Sequence, residues 1–318
     1  MPETAPRVLM QSRMNERLKA RVEAEFPVLY VDRLDAVSDS DASSITAIAG
    51  WGDVSSALID RLTNLKVIAN FGVGYDAIDA GHAAQKGVMV TNTPDVLSAE
   101  VADVAVGLLL NTVRELPRAE THLREGNWAR AGAYPLTGLT LRGRSVGIYG
   151  LGRIGMEIAK RLAAFDLPVS YYARHRKDVP YAYEASLEAL ARAVDTLIVA
   201  VPGGAATEKS VDAEVLRALG PQGVLINIGR GTVVDEAALI DALADGTIAA
   251  AGLDVFANEP HVPQALIDLP NASLLPHVAS ASVATRDAMA DLAADNLIAW
   301  LRKGRALTPV PECAHLNR

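Results

Sequence analysis

The chain has 318 residues, 50% hydrophobic and 21% charged, a length that leaves room for two domains and proportions that belong to a folded rather than a disordered protein. Its 30 Lys and Arg against 38 Asp and Glu give a formal charge of −8, and without concentrated basic runs to neutralise phosphates, nucleic acid is not an expected partner. The longest unbroken apolar run, 104–110, is far below the ~20 residues of a membrane span; the first 19 residues lack the apolar core of a signal peptide and Cys313 is the only cysteine, so a reducing cytoplasm is the expected compartment.

Short β-rich runs alternate with longer helical patterns, which predicts an α/β protein with mostly parallel strands. Strands are expected at 7–10, 28–31, 45–48, 67–70 and 88–91, with helices near 14–25, 54–63 and 77–86, making a complete small α/β domain. Ser98 then stands where it can cap a long helix running to Leu116, with Glu100 in the first turn, where the helix dipole favours an anion. Apolar residues nearly encircle that helix, as expected for one buried between domains. A loop with Gly, Pro and Trp follows at 126–138, and a second series of about six parallel strands is expected at 145–149, 168–172, 195–201, 223–228, 249–255 and 272–275. Residues 281–301 are again helical, and the tail is irregular. The layout suggests that the last helix returns to the first domain. Residues 1–97 plus 285–318 would then form one domain and 98–284 an inserted second one.

The segment SVGIYGLGRIGMEIAKRL places Gly150, Gly152 and Gly155 as G-x-G-x-x-G between an apolar strand and a helical run, with Leu151, Arg153 and Ile154 filling the turn. The first glycine permits the tight turn, the second lets backbone approach a pyrophosphate, and the third allows helix and strand to pack closely. An ordinary strand-turn-helix junction can carry the same spacing, but this strand and helix are the context a dinucleotide site requires. An acidic residue normally ends the next strand and takes the ribose hydroxyls of NAD. Here Ala173 holds that place, followed by Arg174, His175, Arg176 and Lys177. Guanidinium groups fork onto a 2′-phosphate that an acid would repel, so NADP(H) is preferred, with NAD(H) possible. A solvated basic loop, partly offset by Asp178, is the plainer alternative. No metal site is expected.

Three later strand ends carry polar groups: Arg230 in NIGRGTVVDEAAL, Asp254 and Glu259 in GLDVFANEP, and His277 in LLPHVAS. Ligands gather at the carboxyl ends of strands in a doubly wound sheet, so an Arg, a Glu and a His there can converge beside a cofactor. Singly, each has a structural explanation: a solvated turn, a helix-start charge, an interior histidine.

Together with NFGVGYDAID (70–79), VTNTPDVLSAEVADVAVGLLL (90–110) and VGIYGLGRIG (146–155), these blocks resemble the D-isomer-specific 2-hydroxyacid dehydrogenase family over essentially the whole chain, and within it the glyoxylate/hydroxypyruvate reductases. The resemblance implies a Rossmann doubly wound parallel sheet inserted in a smaller flavodoxin-like substrate domain, an active site in the cleft between them, and a homodimer contacting through the long helix and the loop after it. It makes His277 the general acid of reduction, Glu259 its partner and Arg230 the clamp on a 2-oxo acid, with the backbone N–H groups of Val73 and Gly74 on the substrate carboxylate. It further implies that Asp254 and the Ile228 carbonyl meet the nicotinamide carboxamide, that Val201, Pro202 and Thr207 line the adenine and phosphate side, and that Trp51 reaches the substrate pocket, although a buried packing role suits Trp51 equally. Trp128 and Tyr134 would reach toward a neighbouring subunit. Glu259 argues against a formate dehydrogenase, which places glutamine there. The expected activity is NADPH-preferring reduction of glyoxylate or hydroxypyruvate to the (R)-2-hydroxy acid. The alternatives are a reductase of larger 2-oxo acids such as hydroxyphenylpyruvate and a dinucleotide-sensing, corepressor-like binding protein.

Overall fold

The computed structural model describes residues 6–317; residues 1–5, the start of the segment read above for a signal peptide, lie outside that range. Five strands, β1 (Arg7–Gln11), β2 (Val28–Val31), β3 (Ile45–Gly50), β4 (Val67–Asn70) and β5 (Met89–Thr91), form a parallel sheet in the order β2-β1-β3-β4-β5. Seven more, β6 (Val146–Tyr149), β7 (Val169–Tyr172), β8 (Ala182–Tyr183), β9 (Thr196–Val199), β10 (Val224–Asn227), β11 (Ala250–Leu253) and β12 (Ala272–Leu274), form a second in the order β12-β11-β10-β9-β6-β7-β8. The central strands are continuous apolar runs, as sheets covered on both faces require, and Val8, Leu9, Ile45, Val67, Val146, Leu197 and Val224 are fully buried. Each order is doubly wound, flavodoxin-like in the first sheet and Rossmann in the second. The winding reverses between β1 and β3 and between β6 and β9, and it is beyond the carboxyl ends of strands at such reversals that doubly wound sheets bind ligands.

The chain divides into two compact units, Met1–Leu97 with Ala281–Arg318, and Ser98–Ser280. In the first, helix Val283–Lys303 buries Met289, Ala290, Ala293, Ala294 and Leu297. It meets helix Glu16–Glu23 through Arg17–Asp291 at 2.8 Å and Arg21–Asp295 at 2.7 Å. Exposed ion pairs of this kind contribute little, so the buried apolar face holds the terminal helix in place. In the second unit, buried Arg144 joins the starts of three strands. It donates to Thr196 Oγ1 at 2.7 Å and to the carbonyls of Asp195 and Gln222 at 2.5 and 2.6 Å.

Several local expectations change. The long helix is Ser98–Arg114, with Ser98 as its first residue rather than its cap. Glu115 takes a left-handed φ of 50°, and the chain restarts as helix Leu116–Arg124 with Pro117 in the first turn, where no N–H is needed. The long helix packs within its own unit against β11, where a Cβ on Gly252 would come 2.9 Å from Leu108 Cγ. The loop 126–138 contains the short helix Asn127–Ala131. The second sheet has a seventh strand, β8, whose two residues are too short for any alternation to betray them. No helix among the described residues is long and apolar enough to cross a membrane.

A Cβ on Gly155 would land on the Gly150 carbonyl oxygen, a backbone atom that cannot rotate aside. Gly155→Ala is therefore expected to destabilise by about 1–3 kcal/mol, the usual cost of overpacking, seen as a lower urea midpoint with an unchanged m-value. An unchanged midpoint would show that the turn yields freely.

Candidate active site

The glycine turn connects β6 to helix Arg153–Ala163. Gly150 has a φ of 97°, and a Cβ there would meet Val201 Cγ1 at 2.6 Å, so the turn lies directly against the end of β9. Leu151 is buried beneath it. Gly152 is the opposite case: a Cβ there would meet nothing within 4 Å, and as N-cap it offers no side chain to the helix N–H groups. The result is a cradle at a helix N-terminus, where the first N–H groups have no intrahelical partner, left open by a missing side chain. A pyrophosphate fits that cradle, and an alanine would fill it. Ile154 is half-buried and Arg153 exposed at its rim.

Beyond β7, the loop carrying Arg174 and Arg176 folds over the hydroxyl of Tyr171, whose ring is fully buried. That hydroxyl accepts from Lys177 N–H at 2.7 Å and donates to Lys177 O at 3.2 Å. Arg174, Arg176 and Asp178 are exposed, and among the described residues neither arginine makes an ion pair. On the loop after β9, the Thr207 hydroxyl donates to Pro202 O at 2.7 Å, which shapes the 202–207 turn. Ile228 is buried, its N–H on Val199 O at 3.3 Å.

A second cluster forms at the ends of β10, β11 and β12. His277 Nδ1 lies 2.7 Å from Glu259 Oε2, while Glu259 Oε1 accepts the Phe256 N–H at 3.0 Å. The carboxylate is thereby fixed from both sides, and the imidazole's other nitrogen, Nε2, is left for a ligand. Burial works to raise the Glu259 carboxyl, but the His277 bond, the Phe256 N–H and the charges of His277 and Arg230 outweigh it and hold the pKa below its usual value. The His277 backbone has a φ of 54°, rare for a residue with a side chain and a form of strain that collects at functional positions.

Asp254 is what holds that backbone. It is 1% exposed, and its two oxygens accept Val278 N–H at 2.7 Å and Ala279 N–H at 3.0 Å. Burial raises its pKa despite these bonds. The expected partner of a carboxamide is thus first an organiser of the histidine loop. Arg230 sits in a turn that sequence reasoning left unsupported. Buried Asn227, the last residue of β10, donates to Arg230 O at 2.9 Å and accepts Gly229 N–H at 3.0 Å.

In the first unit, Trp51 is 49% exposed, which removes the buried packing role. Its ring meets Phe71 edge-on at 6.1 Å, and its carbonyl accepts from Gln11 Nε2. Val73 and Gly74 follow β4 in a half-buried turn. Tyr134 bonds Glu115 at 2.7 Å, and Trp128 is 64% exposed. Among the described residues no cluster of three or more His, Cys, Asp or Glu could hold a metal.

Residues 106–279 match the family model described as D-isomer specific 2-hydroxyacid dehydrogenase, NAD binding domain. The chain is similar to the NADPH-dependent glyoxylate/hydroxypyruvate reductase of Sinorhizobium meliloti, solved with NADP and malonate: identity is 55%, coverage 98% of both chains and the TM-score 0.95. It is 45% identical over 309 residues to glyoxylate/hydroxypyruvate reductase A of Arabidopsis thaliana, covering 95% of this chain and 98% of the relative. It is 43% identical, with the same coverage, to the hydroxyphenylpyruvate reductase of Plectranthus scutellarioides.

The depressed Glu259 pKa carries a pH signature. Because the folded value lies below the ordinary 4.5, the ionised carboxylate stabilises the fold fully above that value, and the contribution is lost as pH falls through the depressed one. The difference in urea-unfolding free energy between the wild type and Glu259→Gln is therefore expected to hold steady from neutral pH down to the ordinary value and to shrink below it. A difference independent of pH would mean the pairing is absent in solution.

Proposed function

The chain belongs to the D-isomer specific 2-hydroxyacid dehydrogenase family, and from that membership we propose that this NAD(P)-dependent enzyme is an NADPH-preferring reductase of small 2-oxo acids, glyoxylate and hydroxypyruvate, yielding (R)-2-hydroxy acids. The observation that carries the reading is the His277–Glu259 pair, 2.7 Å apart at the carboxyl ends of a doubly wound sheet.

NADPH, when bound, supplies a hydride to the carbonyl carbon. The Gly150–Gly155 turn would hold its pyrophosphate, with Val201, Pro202, Thr207, Ile228 and Asp254 along the remaining length. His277 gives the Nε2 proton to the carbonyl oxygen as negative charge develops there, and Glu259 keeps the ring oriented. Arg230 offers a planar pair of donors to the carboxylate and stabilises the charge growing on the carbonyl oxygen. Backbone N–H groups of Val73 and Gly74 take the carboxylate, and Trp51 bounds the space for a short substrate side chain.

The exposed guanidiniums of Arg174 and Arg176, the absence of an acid at Ala173 and the NADP in the Sinorhizobium meliloti relative support the cofactor preference. A homodimer is supported by the apolar side chains exposed along 116–138: Leu116, Leu123, Trp128 and Leu136, the last 99% exposed.

Followed by NADPH absorbance, wild-type protein is expected to turn over glyoxylate and hydroxypyruvate faster than 4-hydroxyphenylpyruvate, and His277→Gln to lose about 10²-fold or more in kcat. Undiminished turnover in His277→Gln refutes the acid assignment. NADPH binding without turnover on any of the three revives the sensor alternative. Arg174→Ala combined with Arg176→Ala is expected to raise the KM for NADPH about tenfold while barely moving that for NADH. Equal effects on both cofactors would contradict a 2′-phosphate contact.

A further inference from the structure

The turn after β4 has its peptide groups aimed by two asparagine side chains. Asn70, 4% exposed, donates from a single Nδ2 to Gly72 O at 3.0 Å and Gly74 O at 2.9 Å. The Thr93 N–H adds a bond to Gly72 O at 2.9 Å. Asn92 Nδ2 donates to the carbonyl between them, Val73 O, at 2.8 Å. Three successive carbonyl oxygens are thus held by the protein. In a planar trans peptide the N–H lies opposite the C=O. The Val73 N–H therefore points away from the Gly72 carbonyl that Asn70 holds, and the Gly74 N–H away from the Val73 carbonyl that Asn92 holds. Among the described residues neither N–H meets an acceptor. Two adjacent backbone donors in this turn are thus left for an anion.

Asn92 is itself clamped by the returning end of the chain. Thr308 Oγ1 donates to Asn92 O at 2.6 Å and accepts from Asn296 Nδ2 at 2.8 Å. Fully buried Asn296 also accepts the N–H groups of Leu307 at 3.0 Å and Thr308 at 2.8 Å. If Asn92 loses its amide, the Val73 carbonyl loses its side-chain donor and the 73–74 peptide is held only through the neighbouring carbonyls that Asn70 keeps. Gly74, lacking a Cβ, then lets that unit rotate and carry its N–H out of line.

We infer that Asn70 and Asn92 are positioning residues for the substrate carboxylate, each aiming one of the two backbone donors, with Asn296 and Thr308 holding Asn92 in place. This rests on the assignment of the Val73 and Gly74 N–H groups to that carboxylate.

The test compares the wild type, Asn92→Ala, Asn92→Asp and Thr308→Val by steady-state kinetics and by calorimetric binding of oxamate to the NADPH-loaded enzyme. Asn92→Ala is expected to raise both the glyoxylate KM and the oxamate Kd about tenfold, the size of one charge-assisted hydrogen bond. The KM for NADPH should stay fixed, and kcat should move less than the glyoxylate KM. Asn92→Asp, which sets a carboxylate against the Val73 carbonyl, should lose more, and Thr308→Val should shift the same two constants by less. Unchanged oxamate affinity in a folded Asn92→Ala overturns the inference, as does a parallel rise in the KM for NADPH. If Asn92→Ala does not fold, Thr308→Val decides by the same criteria. A wild type that reduces 2-oxo acids while Asn92→Ala keeps its KM refutes positioning alone. A wild type that neither reduces them nor binds oxamate refutes the proposed function and the positioning role with it.

Discussion

A parallel sheet stops supplying hydrogen-bond partners where its strands end, and the chain must still satisfy its backbone as it enters the loops that meet a ligand. Here that need is met repeatedly by an amide at the last residue of a strand. Gln11 ends β1 and holds the Trp51 carbonyl; Asn70 ends β4 and holds those of Gly72 and Gly74; Asn227 ends β10 and brackets Gly229 and Arg230. A carboxamide suits the position because it can donate and accept without charge, as Asn227 does, although the buried Oε1 of Gln11 meets no donor among the described residues. Each loop is thereby rigid at its root, and the groups it presents are fixed by buried neighbours rather than by solvent.

The carboxylates at the ends of the second sheet divide their labour by environment. Asp254, sealed in and facing two N–H groups, fixes the backbone of the loop that carries His277. Glu259, partly open and facing an imidazole and a nearby guanidinium, stays ionised and orients that ring. Exchanging the two roles would require a lasting charge in the deeper position, an arrangement that burial opposes.

Much of this architecture could be read in the residues. The glycine spacing, the apolar strand runs and the doubly wound order followed from periodicity and from blocks shared with a family, because steric and hydrophobic demands repeat at fixed intervals. The residues that support the site did not announce themselves in the same way. Asn70, Asn92 and Asn227 act through carbonyls that are close only in the folded turn, and a lone amide in a sequence resembles any loop residue. The one available signal was position: an amide closing an apolar strand just before a glycine-containing turn. The break at Glu115 was equally hidden, since a single left-handed residue interrupts the helix without altering its hydrophobic pattern. Asp254 was legible as an acid at a strand end, but its burial and its two backbone bonds were not, because they depend on how the chain bends after β12.

The loop bearing Arg174 and Arg176 takes its form from main-chain bonds to the Tyr171 phenol. Neither guanidinium has an ion-pair partner among the described residues, so the conformation of that loop owes little to the side chains that would read the cofactor. Selection can therefore rewrite those two positions almost freely, without rebuilding the fold beneath them. A cofactor choice carried by those two side chains would be separable from the fold, because the backbone bonds beneath them stay sheltered under a buried ring.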